Sequence, residues 1–341
     1  MGEGTRFWVG ASTLGAIGSA ARGIRTLDVA PDGAATLGEP VEVGPNPMYL
    51  AWRDGTLAIV HELADGLVST WTVAGEDVRL LAAAAATGGA DPCHVAFAPA
   101  GDLVLTANYS GSRVTAHRAA ADADGTAALV SALDFAGEGP NRARQEASHP
   151  HQVVFDAARD RFLVPDLGAD RIRVLRLVSG RLVHDEAADL HARPGSGPRH
   201  LVVADDLAIV ADELDRTASV FDLTTGEERA VAALGEPVVS DLGASAIRLT
   251  RGGIVLIGDR ALDAVQALRF DASAARLEHV ATLPTGGRHP RDLQLTHDER
   301  HLLVADQQSD SIAIVALDDA GVPQRVVATV ATPAPGCLAR V

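Results

Sequence analysis

The sequence contains no lysine, so all 29 of its basic residues are arginines. It has only two cysteines, Cys93 and Cys337, which excludes a disulfide framework and favours two core residues. No apolar run approaches the ~18 residues of a membrane span. The first ten residues lack the basic and apolar regions of a signal peptide. We therefore predict a cytoplasmic protein with no membrane partner.

The chain is acidic, with a formal net charge of −16, and a field of this sign repels nucleic acid. Without lysine there is no phosphate-binding Walker loop and no Schiff-base chemistry. The sequence also contains no G-x-S-x-G and no H-E-x-x-H motif. Arginines that converge on one place in such an acidic chain would indicate an anionic ligand.

One pattern, Pro-x-x-apolar-x-apolar, recurs along the whole sequence. Its copies start at Pro47, Pro92, Pro150, Pro198, Pro290 and Pro335, and "ASAIRL" from Ala244 fits without the proline. Successive copies lie 45, 58, 48, 46, 46 and 45 residues apart. Near-constant spacing of this kind indicates a repeat fold.

Each repeat continues with a second apolar run, a polar pair, an alternating third run and a weaker fourth run. Alternation and turn signals predict four antiparallel strands in about 46 residues, which is a propeller blade. The N-terminal "RFWVGAS" and "GIRTL" read as second and third strands, and the C-terminal "PGCLAR" reads as a first strand. We therefore predict one all-β domain over residues 1–341, a seven-bladed β-propeller whose ring is closed by pairing of the terminal strands.

The same geometry predicts where the functional residues gather. First strands line the channel and second strands run antiparallel to them, so first-strand starts and second-strand ends share one face. The 58-residue interval holds an extra loop, "GPNRARQEAS", at this face. The residues expected there are His149, His151, Arg199, His200, Glu213, Arg260 and Arg291, with Glu62, His94, Tyr109 and Gln307.

These residue types suit an anionic ligand. Arg199, Arg260 and Arg291 would form a fork-type site for carboxylate or phosphate. The pair His149 and His151 could also chelate a metal, but the face has no cysteine ligand and its arginines would repel a cation. We expect a small anionic substrate, no metal and no organic cofactor. The sequence leaves the oligomeric state open.

Four segments carry a resemblance to a known family: "GPNRARQEASHPH", "GSGPRHL", "ADELDRTASVF" and "TGGRHPRDL". Through them the chain resembles the seven-bladed propeller lactonases, which include propeller-type 6-phosphogluconolactonases and fungal carboxy-cis,cis-muconate cyclases. The resemblance implies a catalytic set of His149 or His151, Arg199, Glu213 and Arg260. The remaining residues of the predicted face would bind substrate. Asp212 stands where the family commonly has asparagine, which could alter the orientation of Glu213.

The resemblance implies hydrolysis of an anionic sugar-acid lactone, with 6-phosphogluconolactone and the pentose phosphate pathway as the first expectation. Such a reaction needs an activated water, a cation for the oxyanion and an acid for the ring oxygen. A lactonising cyclase and a non-catalytic ligand-binding propeller remain as alternatives. At the level of residues, Glu213 is either a base or the residue that orients an arginine, and Arg199 either contacts the ligand or pairs with a neighbouring blade.

Overall fold

The computed structural model describes residues 4–15, 20–75 and 77–341. Within these ranges the regular structure is almost entirely β, with short 3-10 helices at Glu186–Ala188 and Gln307–Ser309. None of the helices in these ranges has the length and apolarity needed to cross a bilayer. The predicted all-β class is confirmed. Part of the segment used to predict that no leader is present, residues 1–3, lies outside the described residues.

The strands follow one another with short connections. The first sixteen are β1 (Thr5–Ala11), β2 (Arg25–Val29), β3 (Ala35–Leu37), β4 (Pro47–Arg53), β5 (Thr56–His61), β6 (Leu67–Ala74), β7 (Asp77–Ala86), β8 (Pro92–Phe97), β9 (Leu103–Asn108), β10 (Arg113–Arg118), β11 (Leu129–Asp134), β12 (Val154–Asp156), β13 (Arg161–Asp166), β14 (Arg171–Val178), β15 (Arg181–His184) and β16 (Leu190–His191).

The remaining strands are β17 (Pro198–Ala204), β18 (Leu207–Asp212), β19 (Thr217–Asp222), β20 (Glu228–Ala233), β21 (Ala244–Leu249), β22 (Ile254–Asp259), β23 (Ala264–Asp271), β24 (Arg276–Pro284), β25 (Pro290–Leu295), β26 (His301–Asp306), β27 (Ser311–Leu317), β28 (Pro323–Ala331) and β29 (Pro335–Arg340). Together the 29 strands form seven sheets, one for each copy of the sequence repeat.

The chain divides into two compact units, here called the middle unit (residues 46–199) and the terminal unit (residues 1–45 and 200–341). The middle unit contains the sheets β4–β7, β8–β11 and β12–β16. The terminal unit contains β17–β20, β21–β24, β25–β28 and the sheet β29-β1-β2-β3, and the boundary falls inside β17. That residues 1–341 form one domain stays a prediction.

The second strand of a repeat is the most buried one. Every residue of β9, β13, β22 and β26 is buried. Neighbouring sheets within each unit pack face to face, as Leu105 and Phe162 show in one cluster and Phe7 and Ile314 in another. A strand covered on both faces is apolar at nearly every position, which explains the continuous second run of the repeat.

The Pro-x-x start of the repeat is a β-bulge. The register between first and second strand shifts by one residue at the starts of β4, β8, β21, β25 and β29. Proline suits this place because it needs no partner for an amide hydrogen. Bulges re-aim side chains and are common next to active sites. The motif that identified the repeat therefore also sets the direction of the side chains that follow it.

One predicted first strand is much shorter than expected. The pattern "PHQVVF" predicts a strand from Pro150, but β12 begins at Val154 and only an isolated bridge joins Pro150 to Asp166. Continuing the register of β12 would bring Gln152 opposite Pro165, which has no amide hydrogen to donate. The ladder therefore breaks, and His149 and His151 lie in an irregular segment.

The two ends of the chain share a sheet, as predicted. Strand β29 pairs antiparallel with β1, with Trp8 opposite Ala339 and Val9 opposite Leu338. The Asp292 carboxylate also accepts the Leu338 amide at 2.8 Å, which ties β29 to β25. The last strand thus completes a blade that the first strands begin.

We expect deletion of residues 335–341 to remove most of the cooperativity of thermal unfolding. The deletion removes one of the two ladder partners of β1 and uncovers Phe7 and Val9, which are 0% and 2% exposed in the intact chain. Calorimetry of the truncated chain, beside a control lacking only Val341, measures the effect. Unchanged melting after the seven-residue deletion would contradict the shared terminal blade.

Candidate active site

In the middle unit, the two predicted histidines meet on one aromatic ring. Tyr109, the residue after β9, stacks on His149 with ring centroids 4.3 Å apart and an interplanar angle of 7°. It meets His151 edge-on at 5.4 Å. The histidines are 4% and 7% exposed. Three of the predicted residues therefore form one aromatic cluster, in which both histidines are buried and Tyr109 is half-buried.

The ring of His149 is held at both nitrogens. Its Nδ1 lies 3.0 Å from the carbonyl oxygen of Tyr109, which can only accept, so Nδ1 carries a hydrogen. Its Nε2 lies 3.2 Å from Oε1 of Glu146. The pKa of Glu146 is lowered, first by its own backbone amide and then by His149. An ionised carboxylate thus faces the histidine.

His151 and His94 are linked through the same irregular segment. His151 Nδ1 lies 3.7 Å from Sγ of Cys93, and His94 Nδ1 accepts the Val153 amide at 3.4 Å. The His94 ring also packs on Tyr49, with centroids 4.3 Å apart. His94 therefore supports the segment that carries the other two histidines. Buried Cys93 and buried Cys337 are free thiols, as the prediction of two core cysteines required.

A buried carboxylate, Asp166, anchors this segment. It accepts the backbone amide of His149 at 2.7 Å and the hydroxyl of Ser148 at 2.6 Å. Arg173 donates to it from Nε at 3.0 Å and bonds to the carbonyl of Ala136 at 2.7 Å. Asp166 is fully buried, so its charge is balanced by these donors.

The inserted loop is held by two residues that the sequence did not indicate. Gln145, which is fully buried, donates to the carbonyl of Leu167 at 2.9 Å and to Asp170 at 2.8 Å. Asp170 also accepts the amides of Gly195 and Gly197 at 2.7 and 2.9 Å. From the sequence, an aspartate in a turn is expected to face solvent. In the structure, Asp170 instead joins the inserted loop to the turn before Arg199.

In the terminal unit, Glu213 and Arg260 form a buried ion pair, with Nη2 of the arginine 2.8 Å from Oε2 of the glutamate. Arg260 also donates from Nε to the carbonyl of Gly243 and from Nη2 to that of Ala244. A Cβ at residue 243 would lie 1.6 Å from the carbonyl oxygen of Glu213, so only glycine fits there. The pair brings two predicted residues together with a fixed guanidinium plane.

The other predicted residues lie on the elements that the repeat assigned to them. Arg199 and His200 are buried in β17, Arg291 is half-buried in β25, and Gln307 begins a 3-10 helix with 6% exposure. Half-buried Glu62 follows β5. Each thus sits at a first-strand start or a second-strand end.

The last residue of the second strand is a buried polar residue in six of the sheets. These residues are His61, Asn108, Asp166, Asp212, Asp259 and Asp306. The third residue of the third strand is polar in five of these sheets. These residues are Ser69, Thr115, Arg173, Ser219 and Gln266.

In the sheet β25–β28 that third-strand position is Ala313, which cannot bond to Asp306. Asp306 Oδ1 accepts the Thr285 hydroxyl at 2.9 Å, but Oδ2 is buried without a hydrogen-bond partner among the described residues. Burial, with a smaller effect of Asp263, raises the pKa of Asp306 to about 7. This carboxyl is therefore close to half protonated at neutral pH.

Across residues 4–15, 20–75 and 77–341, no group of three or more His, Cys, Asp or Glu side chains is placed to hold a metal ion. That the protein needs no metal stays a prediction.

Seven antiparallel sheets, one per repeat, are the blades of a β-propeller, which confirms the predicted fold class. A family model described as "Lactonase, 7-bladed beta-propeller" matches residues 6–340, so the chain belongs to that family. The predicted enzyme class, a lactonase acting on a cyclic carboxylic ester, is thereby confirmed.

Individual relatives agree with this assignment. The chain is 28% identical over 318 residues to a 6-phosphogluconolactonase of Bacillus subtilis, covering 89% of this chain and 88% of the relative. It is similar in structure to a periplasmic gluconolactonase of Pseudomonas aeruginosa, with a TM-score of 0.89, 25% identity and 99% of both chains covered. A protein from Lactobacillus plantarum gives the same TM-score and coverage at 26% identity.

We expect Asp306→Asn to stabilise the protein at alkaline pH. A folded-state pKa of about 7, above the ordinary 3.8, means that stability is lost as pH rises from about 4 to 7. At roughly 1.36 kcal/mol per pKa unit, the variant should gain about 4 kcal/mol at pH 8 and about 1 kcal/mol at pH 4.5. Denaturant unfolding at the two pH values measures the difference.

Asp259→Asn is the matched control, because Asp259 occupies the equivalent position and pairs with Arg216 at 2.6 Å. It should lose stability at pH 8 as Arg216 loses its charged acceptor. An Asp306→Asn variant that gains nothing at pH 8 would contradict a buried carboxyl without a second donor.

Proposed function

We propose that this protein hydrolyses an anionic sugar-acid lactone, with 6-phosphoglucono-1,5-lactone, which yields 6-phosphogluconate, as the first candidate. The supporting observation is the Glu213–Arg260 pair, a buried and fully oriented cation in a chain of net charge −16. The similarity to a 6-phosphogluconolactonase supports the choice of lactone. A cytoplasmic location in the pentose phosphate pathway belongs to the same proposal.

We assign the cationic roles to Arg199, Arg260 and Arg291. One or two of them hold the phosphate of the substrate, since a guanidinium fork matches phosphate oxygens. Another stabilises the oxyanion that forms when water adds to the lactone carbonyl. Arg260 suits the oxyanion because Glu213 and two carbonyls already fix its orientation, so no reorganisation is needed during the reaction.

We assign the proton transfers to the histidine cluster. His149 or His151 takes a proton from the attacking water or gives one to the ring oxygen as the ring opens. Glu213 is then the residue that orients Arg260 rather than the base, because its carboxylate is bound to that arginine. His94, His200, Glu62, Tyr109 and Gln307 complete the proposed substrate contacts.

We expect the purified protein to speed acid release from freshly made 6-phosphoglucono-1,5-lactone above the spontaneous rate. Arg199→Ala and His149→Ala should each lower the corrected rate by at least ~10², since oxyanion donors and positioned acids or bases contribute about that much. Arg325→Ala, at an exposed arginine of β28, is the control and should keep the full rate.

Wild-type rates in both Arg199→Ala and His149→Ala would show that the residue assignment is wrong. A wild-type protein that leaves all lactones at the background rate, yet cyclises a carboxylated muconate, would replace lactone hydrolysis by the cyclase reaction. Melting temperatures of the variants separate lost chemistry from lost folding.

We expect full lactonase activity after exhaustive dialysis against a chelator. The proposed reaction uses arginines for the charge of the oxyanion, a task that a metal ion performs in other hydrolases. Rates before and after chelation, with the metal content measured on the same sample, check this. Loss of activity that a single added divalent ion restores would overturn it.

A further inference from the structure

We propose that Glu146 and His149 form the acid pair that protonates the ring oxygen as the lactone opens, an inference that rests on the proposed lactone hydrolysis. Glu146 belongs to the inserted loop and was not among the residues that the sequence assigned to the site. The structure places its carboxylate against Nε2 of His149.

The hydrogen-bond geometry requires a proton between the two residues. Nδ1 of His149 already carries a hydrogen, because it faces the Tyr109 carbonyl. In the neutral ring, Nε2 would then present a lone pair to Oε1 of Glu146 at 3.2 Å, and two acceptors would repel each other. A proton held between Nε2 and Oε1 removes this conflict, so the pair stores one transferable proton.

Glu146 is exposed to solvent, whereas His149 is buried and held in place by its neighbours. The side chain of Glu146 is 58% exposed, whereas that of His149 is 5% exposed. Behind the histidine, Tyr109 stacks on its ring and Asp166 holds its backbone amide. A substrate can therefore approach from the glutamate side while the imidazole stays in one orientation, which is the arrangement an acid catalyst needs.

The surrounding charges keep Glu146 ionised as the partner. Its own backbone amide, then His149, then Arg144 lower the pKa of Glu146. An ionised Glu146 stabilises the protonated imidazole by charge-assisted hydrogen bonding. His149 therefore has a built-in counter-ion.

In the proposed step the stored proton moves to the ring oxygen as the lactone ring opens. Water has added to the carbonyl carbon and given one proton to His151, the second histidine of the cluster, and the tetrahedral oxyanion collapses. The bond between that carbon and the ring oxygen breaks, its electron pair goes to the ring oxygen, and the proton of the pair moves to the same oxygen. The product is the open hydroxy acid, and the pair regains a proton from solvent after the acid ionises.

The test compares two leaving groups in Glu146→Gln. Ring opening of the lactone expels an alkoxide and needs an acid, whereas an aryl ester of the same phosphorylated acid expels a stable phenolate. We expect the variant to lose ~10²–10⁴ in kcat on the lactone, the usual contribution of a positioned acid. We expect a loss below about threefold on the aryl ester.

The pH dependence of kcat on the lactone gives a second readout. The wild-type and Glu146→Gln profiles should differ, because the variant lacks the carboxylate that faces Nε2 of His149 and holds the proton of the pair. Glu138→Gln is the matched control, because Glu138 is an exposed glutamate of the same region that pairs with Arg142. It should leave both rates and the pH profile unchanged.

Equal losses of Glu146→Gln on lactone and aryl ester, with an unchanged pH profile, would overturn the acid role and leave a purely structural one. A Glu146→Gln variant with the wild-type lactone rate would overturn it as well. A wild-type protein inactive on every lactone would instead reject the proposed function itself, which the background-corrected assay shows before any variant is made.

Discussion

The buried carboxylate of Asp166 is the interaction on which the histidine cluster depends. A fully buried charge is costly unless donors surround it, and Arg173, Ser148 and the amide of His149 supply them. Because one of those donors is the backbone amide of His149, satisfying the carboxylate also positions the imidazole. The hydrogen bonds that stabilise the buried carboxylate in the blade therefore also fix the position of His149.

Most sheets have a buried polar residue at the end of the second strand, as at Asp166, but its partners differ from sheet to sheet. Where the third strand supplies a polar partner, as Gln266 does for Asp259 at 2.8 Å, the carboxylate at the end of the second strand gains a hydrogen-bond donor, and Arg216 balances its charge. Where it supplies Ala313, burial raises the pKa of Asp306 to about 7 instead. The common backbone thus allows one position to carry an anchoring carboxylate or a titrating one without changing the fold.

The sequence predicted the fold well because the repeat is a local pattern. Proline starts, continuous second runs and alternating third runs report burial and turns that are decided within about 46 residues. The predicted start of this first strand at Pro150 was wrong, because Pro165 on the next strand breaks the ladder and β12 begins only at Val154. Candidate residues could be located by strand position, but the contacts of Glu146, Gln145 and Asp170 could not, since loop side chains have no periodicity from which to infer partners.

The sequence by itself determined the all-β class, the seven blades, the shared terminal sheet and the family, because burial and turn chemistry repeat along the chain. Only the tertiary structure decided which polar groups meet. The stacking of His149 on Tyr109 and the pairing of Arg260 with Glu213 join residues 40 and 47 positions apart. Such pairings depend on side-chain direction at bulges and in loops, which is set by packing between strands rather than by any local pattern.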